Sequence, residues 1–418
     1  MNRLFFVLLA LTFRACQPNS RSAGKTDIGQ LTDSLTLKLE AIHAKGFING
    51  FGVVIVNEEG TLYAKGLGYA NAQTKARYTQ QTIQNIGSVS KTFIGLALLK
   101  AQDLKLLHLD DPVSKYLPFE VKNPHFPEDP ITIRQLATHT SSLLDTDAFD
   151  EHCYILKEDV MVADSLKAMT EEFKSPGSMM PMVDFMEKLL SQDGEWYNES
   201  GFLDHKPGAV FEYSNVGASL AATVLEIATG QSFNAFTTKH ILKPLNMTSS
   251  GWSFADIDLN QHSTLYAKTN LEIPYYSLVT YPDGGLITSV ADMGKYLTEL
   301  IKGYAGEGTL LSKEAYEELF RAQLQASHFP EERGTDDAYD DEYNSGIFMG
   351  FSPKGYVGHT GGDPGIATYM FFNAEAKTGK LLMINTSVRG SEGGVAEFYD
   401  VWYTLEKYER RLSQAVSN

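Results

Sequence analysis

Ser88-Val-Ser-Lys91 sets a hydroxyl and an amine three residues apart, and residues at that spacing share one face of a helix. The stretch turns apolar at once through Phe93, Ile94, Leu96, Leu98 and Leu99, which predicts a buried helix with polar chemistry at its start. A helix N-terminus favours developing negative charge. An unprotonated lysine in a dry pocket can also accept the proton that makes a serine hydroxyl nucleophilic. The spacing alone is common, since Ser22-Ala-Gly-Lys25 repeats it in a polar tail without a helix start.

Two later stretches offer partners for such a serine: Tyr213-Ser-Asn215, ahead of an apolar helix, and His359-Thr360-Gly361-Gly362, along an apolar strand. Each has a structural explanation as well. Ser88 fits a plain N-cap, Tyr213 a core tyrosine before a helix, and His359 a strand histidine with satisfied partners. Tyr69-Ala-Asn71 and Lys377-Thr-Gly379 repeat parts of these patterns elsewhere.

The elements that must hold them read as follows. An amphipathic helix is expected over Leu31–Lys45, ended by Gly46, then a hairpin of Gly52–Asn57 and Leu62–Tyr69. Helical stretches are expected within Leu104–Leu117 and over Ile131–His139, Val216–Thr229, Ser232–Leu242, Ser289–Ile301, Ser312–Gln323 and Val395–Leu412. Gly355–Thr360, Ile366–Phe372 and Lys380–Asn385 read as an antiparallel meander. The chain is therefore expected to be α/β (α+β), with an antiparallel sheet built from both termini, flanked by helices, and an inserted, mainly helical lobe. That insertion spans about 145–205, with helices at Asp159–Phe173 and Met182–Leu190, and its methionines (Met179, Met180, Met182, Met186) read as gap-filling core. Glu331–Glu342 carries seven carboxylates and one arginine and reads as a solvated surface loop without calcium-ligand spacing.

The chain has 418 residues, 43% hydrophobic and 21% charged, which excludes a mostly disordered polymer. A net charge of -17 argues against nucleic acid or anionic lipid as a partner of the folded part. Residues 1–15 read as a signal peptide, in which Arg3 precedes a short apolar run, and Ala15-Cys16 resembles a lipoprotein cleavage site, so Cys16 is the expected lipidation site and membrane anchor. Residues 16–30 then form a tether, 31–390 the catalytic domain, and 391–418 a helix on the sheet. With Cys16 lipidated, Cys153 has no disulfide partner, and a buried thiol is its simplest reading. The ten histidines show no metal-ligand spacing, so neither metal nor cofactor is expected.

The ordered trio Ser88-x-x-Lys91, Tyr213-x-Asn215 and His359-Thr-Gly361 resembles the penicillin-recognising serine hydrolases, the class C β-lactamase and D-Ala-D-Ala carboxypeptidase group that includes esterases and D-amino-acid peptidases. Ile131–Ser141 is similar to the helix behind that group's site, and Pro282-Asp-Gly-Gly-Leu286 to its turn before a helix. Lys377 lies in a polar turn between strands, so His359-Thr-Gly-Gly362 is the better match to the third motif. The resemblance implies a β-lactamase/DD-peptidase-like fold and an acyl-enzyme on Ser88. Lys91 would hold or accept its proton, and Tyr213, with its phenol depressed by nearby positive charge, would shuttle protons. Asn215, His359, Thr360 and Gly361 would bind substrate, and the N–H groups of Ser88 and Gly362 would form the oxyanion hole. Histidine in place of the group's lysine disfavours a β-lactam carboxylate and favours an ester or D-amino-acid-type amide. The rival reading is a receptor for peptidoglycan or β-lactams that is acylated without turnover. Ser142 stands where the group has glycine, a departure that concerns one turn.

Overall fold

A computed structural model of the chain describes residues 28–166 and 173–417. Its centre is the apolar run Val53–Val56, whose side chains alternate across a sheet covered on both faces. Val53 and Ile55 enter one core, with Leu35, Leu39, Trp402 and Leu405 of the terminal helices Ile28–His43 and Glu392–Ser417. Val54 and Val56 enter the other, under Leu297 and Leu300 of the helix Val290–Tyr304.

The sheet has eight antiparallel strands in the spatial order Asn344–Ser345, Gly350–Phe351, Tyr356–Asp363, Ile366–Asn373, Thr378–Ile384, Gly50–Asn57, Gly60–Asn71, Ala76–Arg77. Val53 lies opposite Leu382, so the two ends of the chain meet in one sheet, as the sequence predicts. The helix Lys91–Asp103 is buried at every position from Lys91 to Leu99 and packs against the helices Asn215–Thr229 and Lys313–Leu319. Apolar residues on all its faces make it a core helix rather than an amphipathic one.

Several expected elements differ. Where a helix was expected over Asp159–Phe173, the chain forms one turn, Asp164–Leu166, and residues 167–172 lie outside the described ones. Cys16 and the leader lie outside them too. Leu104–Leu117 contains only the turn Val113–Lys115, because Lys105 takes a left-handed φ of 62° and Asp111 bonds back to the His108 N–H instead of letting a helix run on. Ser232–Leu242 divides into an α-helical turn, Phe233–Thr237, and a wider π turn, Thr238–Leu242. In the insertion, Tyr154–Leu156 pairs with Tyr276–Leu278, while Met182 and Met186 are buried beside Phe185. Cys153 is buried.

Candidate active site

Ser88 lies in a tight 3-10 turn, Gly87–Ser90, that runs into the helix Lys91–Asp103, and its neighbour Gly87 has φ 56°. The strand Tyr356–Asp363 passes alongside. A Cβ on Gly361 would stand 2.2 Å from the Ile86 carbonyl and 3.1 Å from the Ser88 nitrogen, and one on Gly87 would stand 2.8 Å from the Gly362 nitrogen. Two bare glycines therefore let turn and strand touch, which brings the backbones of Ser88 and Gly362 side by side. Gly362 faces open space. Ser88 is not the side-chain cap of its helix, so the plain structural explanation of that residue fails.

Lys91 is fully buried, and its three donors each find an acceptor: Ser88 Oγ at 3.0 Å, Asn215 Oδ1 at 2.6 Å and the Asp283 carbonyl at 2.8 Å. Burial pulls the amine pKa down, but Tyr213, Asp283 and Asp145 together outweigh it and hold the group above its ordinary value. The resting site thus keeps an ammonium there, one of the two states the resemblance allows for Lys91. Asn215 is set by a residue the sequence analysis passed over. Asp145 accepts from Asn215 Nδ2 at 2.7 Å, Asn215 N at 3.1 Å, Val216 N at 2.9 Å and Ser214 Oγ at 3.2 Å. It accepts the first two N–H groups of the helix Asn215–Thr229, whose cap is the Ser214 hydroxyl on Gly217 N, and turns the Asn215 carbonyl oxygen toward Lys91. No local motif marks it, because its partners lie some seventy residues on.

Tyr213 stacks on His139, with ring centroids 4.5 Å apart, and stands 6.1 Å from the His359 ring. Lys91 Nζ is 5.2 Å from its ring centre. Burial raises the phenol pKa by more than Lys91 and the Ser88 hydroxyl lower it, so Tyr213 rests protonated, contrary to the expected depression. Burial and Lys91 also push His139 well down. His359 is lowered by burial and Lys91 against the opposing pull of Asp341, so it brings no fixed positive charge.

The acidic loop is the largest correction. Rather than staying in solvent, its end turns in: Asp341 accepts from the Thr360 N–H at 2.6 Å and from Thr360 Oγ1 at 3.1 Å, and lies 3.3 Å from His359 Nδ1. Thr360 therefore has its hydroxyl engaged by the chain itself. Ser142 keeps the left-handed turn with φ 67°, and its hydroxyl bonds the His205 carbonyl at 2.8 Å, tying the turn to the end of the insertion. Lys377 sits in its turn, 2.6 Å from Glu58.

Two more buried carboxylates stand near Lys91. Asp283 is pushed up to about 6 and Asp363 up to about 7, in both cases by burial first. Ser219 Oγ donates to Asp283 at 2.7 Å and the Tyr154 hydroxyl donates to Asp363 at 2.7 Å. Among the described residues no group of histidine, cysteine and carboxylates could hold a metal ion, and no helix is long and apolar enough to cross a membrane.

Comparison with known proteins points one way. A family model described as beta-lactamase matches residues 37–400. Protein flp of Staphylococcus aureus is 26% identical over 257 residues, 60% of this chain and 45% of its own length, so the chain spans about half the length of the curated relatives it matches. The octameric penicillin-binding protein homologue from Pyrococcus abyssi superposes with a TM-score of 0.65 at 26% identity, covering 91% of this chain and 76% of that one. The beta-lactamase/D-alanine carboxypeptidase from Yersinia pestis, solved with citrate, gives 0.65 at 18% identity over 93% and 98% of the two chains. The fold is that of the β-lactamase/DD-peptidase group.

Proposed function

We propose, from the premise that this chain belongs to the beta-lactamase family, that it is a serine hydrolase working through an acyl-enzyme on an ester or a D-amino-acid-type amide. The observation that carries this reading is Lys91 Nζ joining Ser88 Oγ and Asn215 Oδ1 in a buried pocket, with Tyr213 beside it. Ser88 Oγ forms the new bond to the carbonyl carbon while its proton passes to the Lys91–Tyr213 pair. The carbonyl oxygen takes up the electron pair beside the Ser88 and Gly362 N–H groups, where losing one donor costs about 3 kcal/mol. As the bond to the leaving group breaks, the pair returns the proton to it through Tyr213. Water, deprotonated by the same pair, then frees Ser88 and releases the acid.

The reading needs neither metal nor cofactor. Export, with Cys16 as a lipid anchor at the cell envelope, belongs to the same proposal and rests on the leader sequence. Purified protein starting at Gly24 is to be challenged with a chromogenic short-chain ester, a D-Ala-D-Ala peptide and a fluorescent penicillin, with Ser88→Ala as control and intact mass as readout. Product that disappears in Ser88→Ala supports the hydrolase. A lasting adduct on Ser88 without product favours the acylated receptor, and neither adduct nor Ser88-dependent product removes the reading.

A further inference from the structure

The charge around the nucleophile is unbalanced. Among the described residues Lys91 is the cation that acts on Asp283 and Asp363, while Asp145 and Asp341 add two further carboxylates, and both histidines are held toward neutrality. Such a cleft repels an anionic substrate group and attracts a cationic one. The carboxylates also sit at different ends. Thr360, Gly362 and Asp363 follow one another along a single strand edge, with the oxyanion position at Gly362 between the others. Before it, Asp341 occupies the Thr360 N–H and hydroxyl, near His359 and Tyr213, the end from which the leaving group departs. A substrate carboxylate there would meet one already in place.

Beyond Gly362 lies Asp363. Tyr154, reaching in from the insertion, holds its Oδ1, and its Oδ2 lies over Gly284, where an added Cβ would come within 3.1 Å of it. The same Cβ would stand 3.9 Å from the Gly87 carbonyl carbon, next to Ser88. The missing side chain at Gly284 thus lets this oxygen come close to the nucleophile turn. Because the leaving group points to the Tyr213 end, this carboxylate stands on the side of the acyl part of the substrate.

We propose that this enzyme selects acyl groups bearing a free amine close to the scissile carbonyl, with Asp363, positioned by Tyr154, as the residue that accepts the ammonium. The inference rests on the serine-hydrolase reading and deepens it: the substrate is an aminoacyl amide or ester whose leaving group carries no carboxylate. Among the described residues Asp363 has a hydroxyl donor in Tyr154 and no direct ion pair, so an ammonium in this position would supply the contact that keeps a buried carboxylate charged.

The test compares three p-nitroanilides that differ only on the acyl side: alanine (both enantiomers), N-acetylalanine and propionic acid. The wild-type kcat/KM for one alanine enantiomer is expected to exceed that for the propionyl compound at least tenfold, and acetylation is expected to abolish the advantage. Asp363→Asn should bring the ratio to within about threefold of one, and Tyr154→Phe should lower it less. The ratio is internal to each variant, so a general loss of activity does not mimic the result. A wild-type ratio near one with Ser88-dependent turnover of the propionyl compound, or an unchanged ratio in Asp363→Asn, overturns the inference and leaves the hydrolase standing. Absence of Ser88-dependent turnover of every anilide overturns this inference, and the hydrolase reading falls with it only if the chromogenic ester, the D-Ala-D-Ala peptide and the penicillin are not turned over either.

Discussion

Lys91 and Tyr213 each hold a proton at rest, so the form of the pair that can accept the Ser88 proton is a minority at neutral pH. The sign follows: both groups lie above their ordinary values, and raising the pH increases the singly deprotonated pair. A pH profile of kcat/KM on an uncharged ester is expected to climb by about tenfold per pH unit near neutrality before it levels off in the alkaline range. A profile flat from pH 6 to 9 would contradict the assignment. Asp145 is a positioning residue, since it touches Asn215 and not the reacting atoms. Asp145→Ala leaves the Asn215 and Val216 N–H groups without their acceptor and frees the Asn215 amide to turn, at an expected cost of about 1–3 kcal/mol in unfolding free energy. Activity should fall about 10–100-fold in kcat with a smaller change in KM. A purely structural role would leave kcat alone in the folded protein. Asp145→Asn, which keeps one acceptor oxygen, is expected to recover part of the loss.

Among the elements, the proposed oxyanion hole depends on the contact between the turn Gly87–Ser90 and the strand Tyr356–Asp363. It depends on the absence of two methyl groups. Gly361→Ala places a carbon 2.2 Å from the Ile86 carbonyl, a backbone atom that cannot rotate away, so strand and turn must part. Overpacking of this kind costs about 1–3 kcal/mol, read as a lower midpoint in denaturant unfolding. Activity should fall about 100-fold or more, since a displaced donor misses the oxyanion. Retention of wild-type kcat in Gly361→Ala would remove Gly362 from the proposed hole. The helix Lys91–Asp103 carries the nucleophile turn on a shaft buried from Lys91 to Leu99, where the stacked ring of Tyr296 lies 4.0 Å from that of Phe93. Rigid placement of this kind suits a site whose donors must be in position before the charge develops.

On the scale of the whole molecule, burying carboxylates beside the site has a consequence for stability. Asp283 and Asp363 titrate near 6 and 7 in the folded protein, above the value of about 3.9 expected for an unfolded aspartate. Between those limits the folded chain binds more protons than the unfolded one. The stabilisation is therefore complete below the unfolded pKa and is lost as pH rises through 6 and 7. The melting temperature is expected to drop by several degrees, about 3–6 °C, between pH 5 and 8. In Asp363→Asn, which has no proton to lose there, the drop should be smaller. An equal drop in the variant would show that Asp363 is ionised throughout this range.

The sequence by itself determined the pieces whose signals are local. The all-apolar helix behind Ser88 was legible because burial on every face leaves a continuous apolar run, and the strands at both ends because a sheet covered on two faces does the same. The three motifs were legible because serine, lysine, tyrosine, asparagine and small glycines recur in order, although each alone is common. Only the tertiary structure decided what charge those groups carry. A lysine, tyrosine or histidine reads the same whether it meets water or a carboxylate, and here burial and neighbours from distant segments set each one. The same holds for Asp145, Asp341 and Asp363. A lone aspartate has no periodicity to announce it, and in sequence Asp341 is one acid among seven. Its partner Thr360 lies nineteen residues away, and folding alone brings that carboxylate out of solvent and into the cleft.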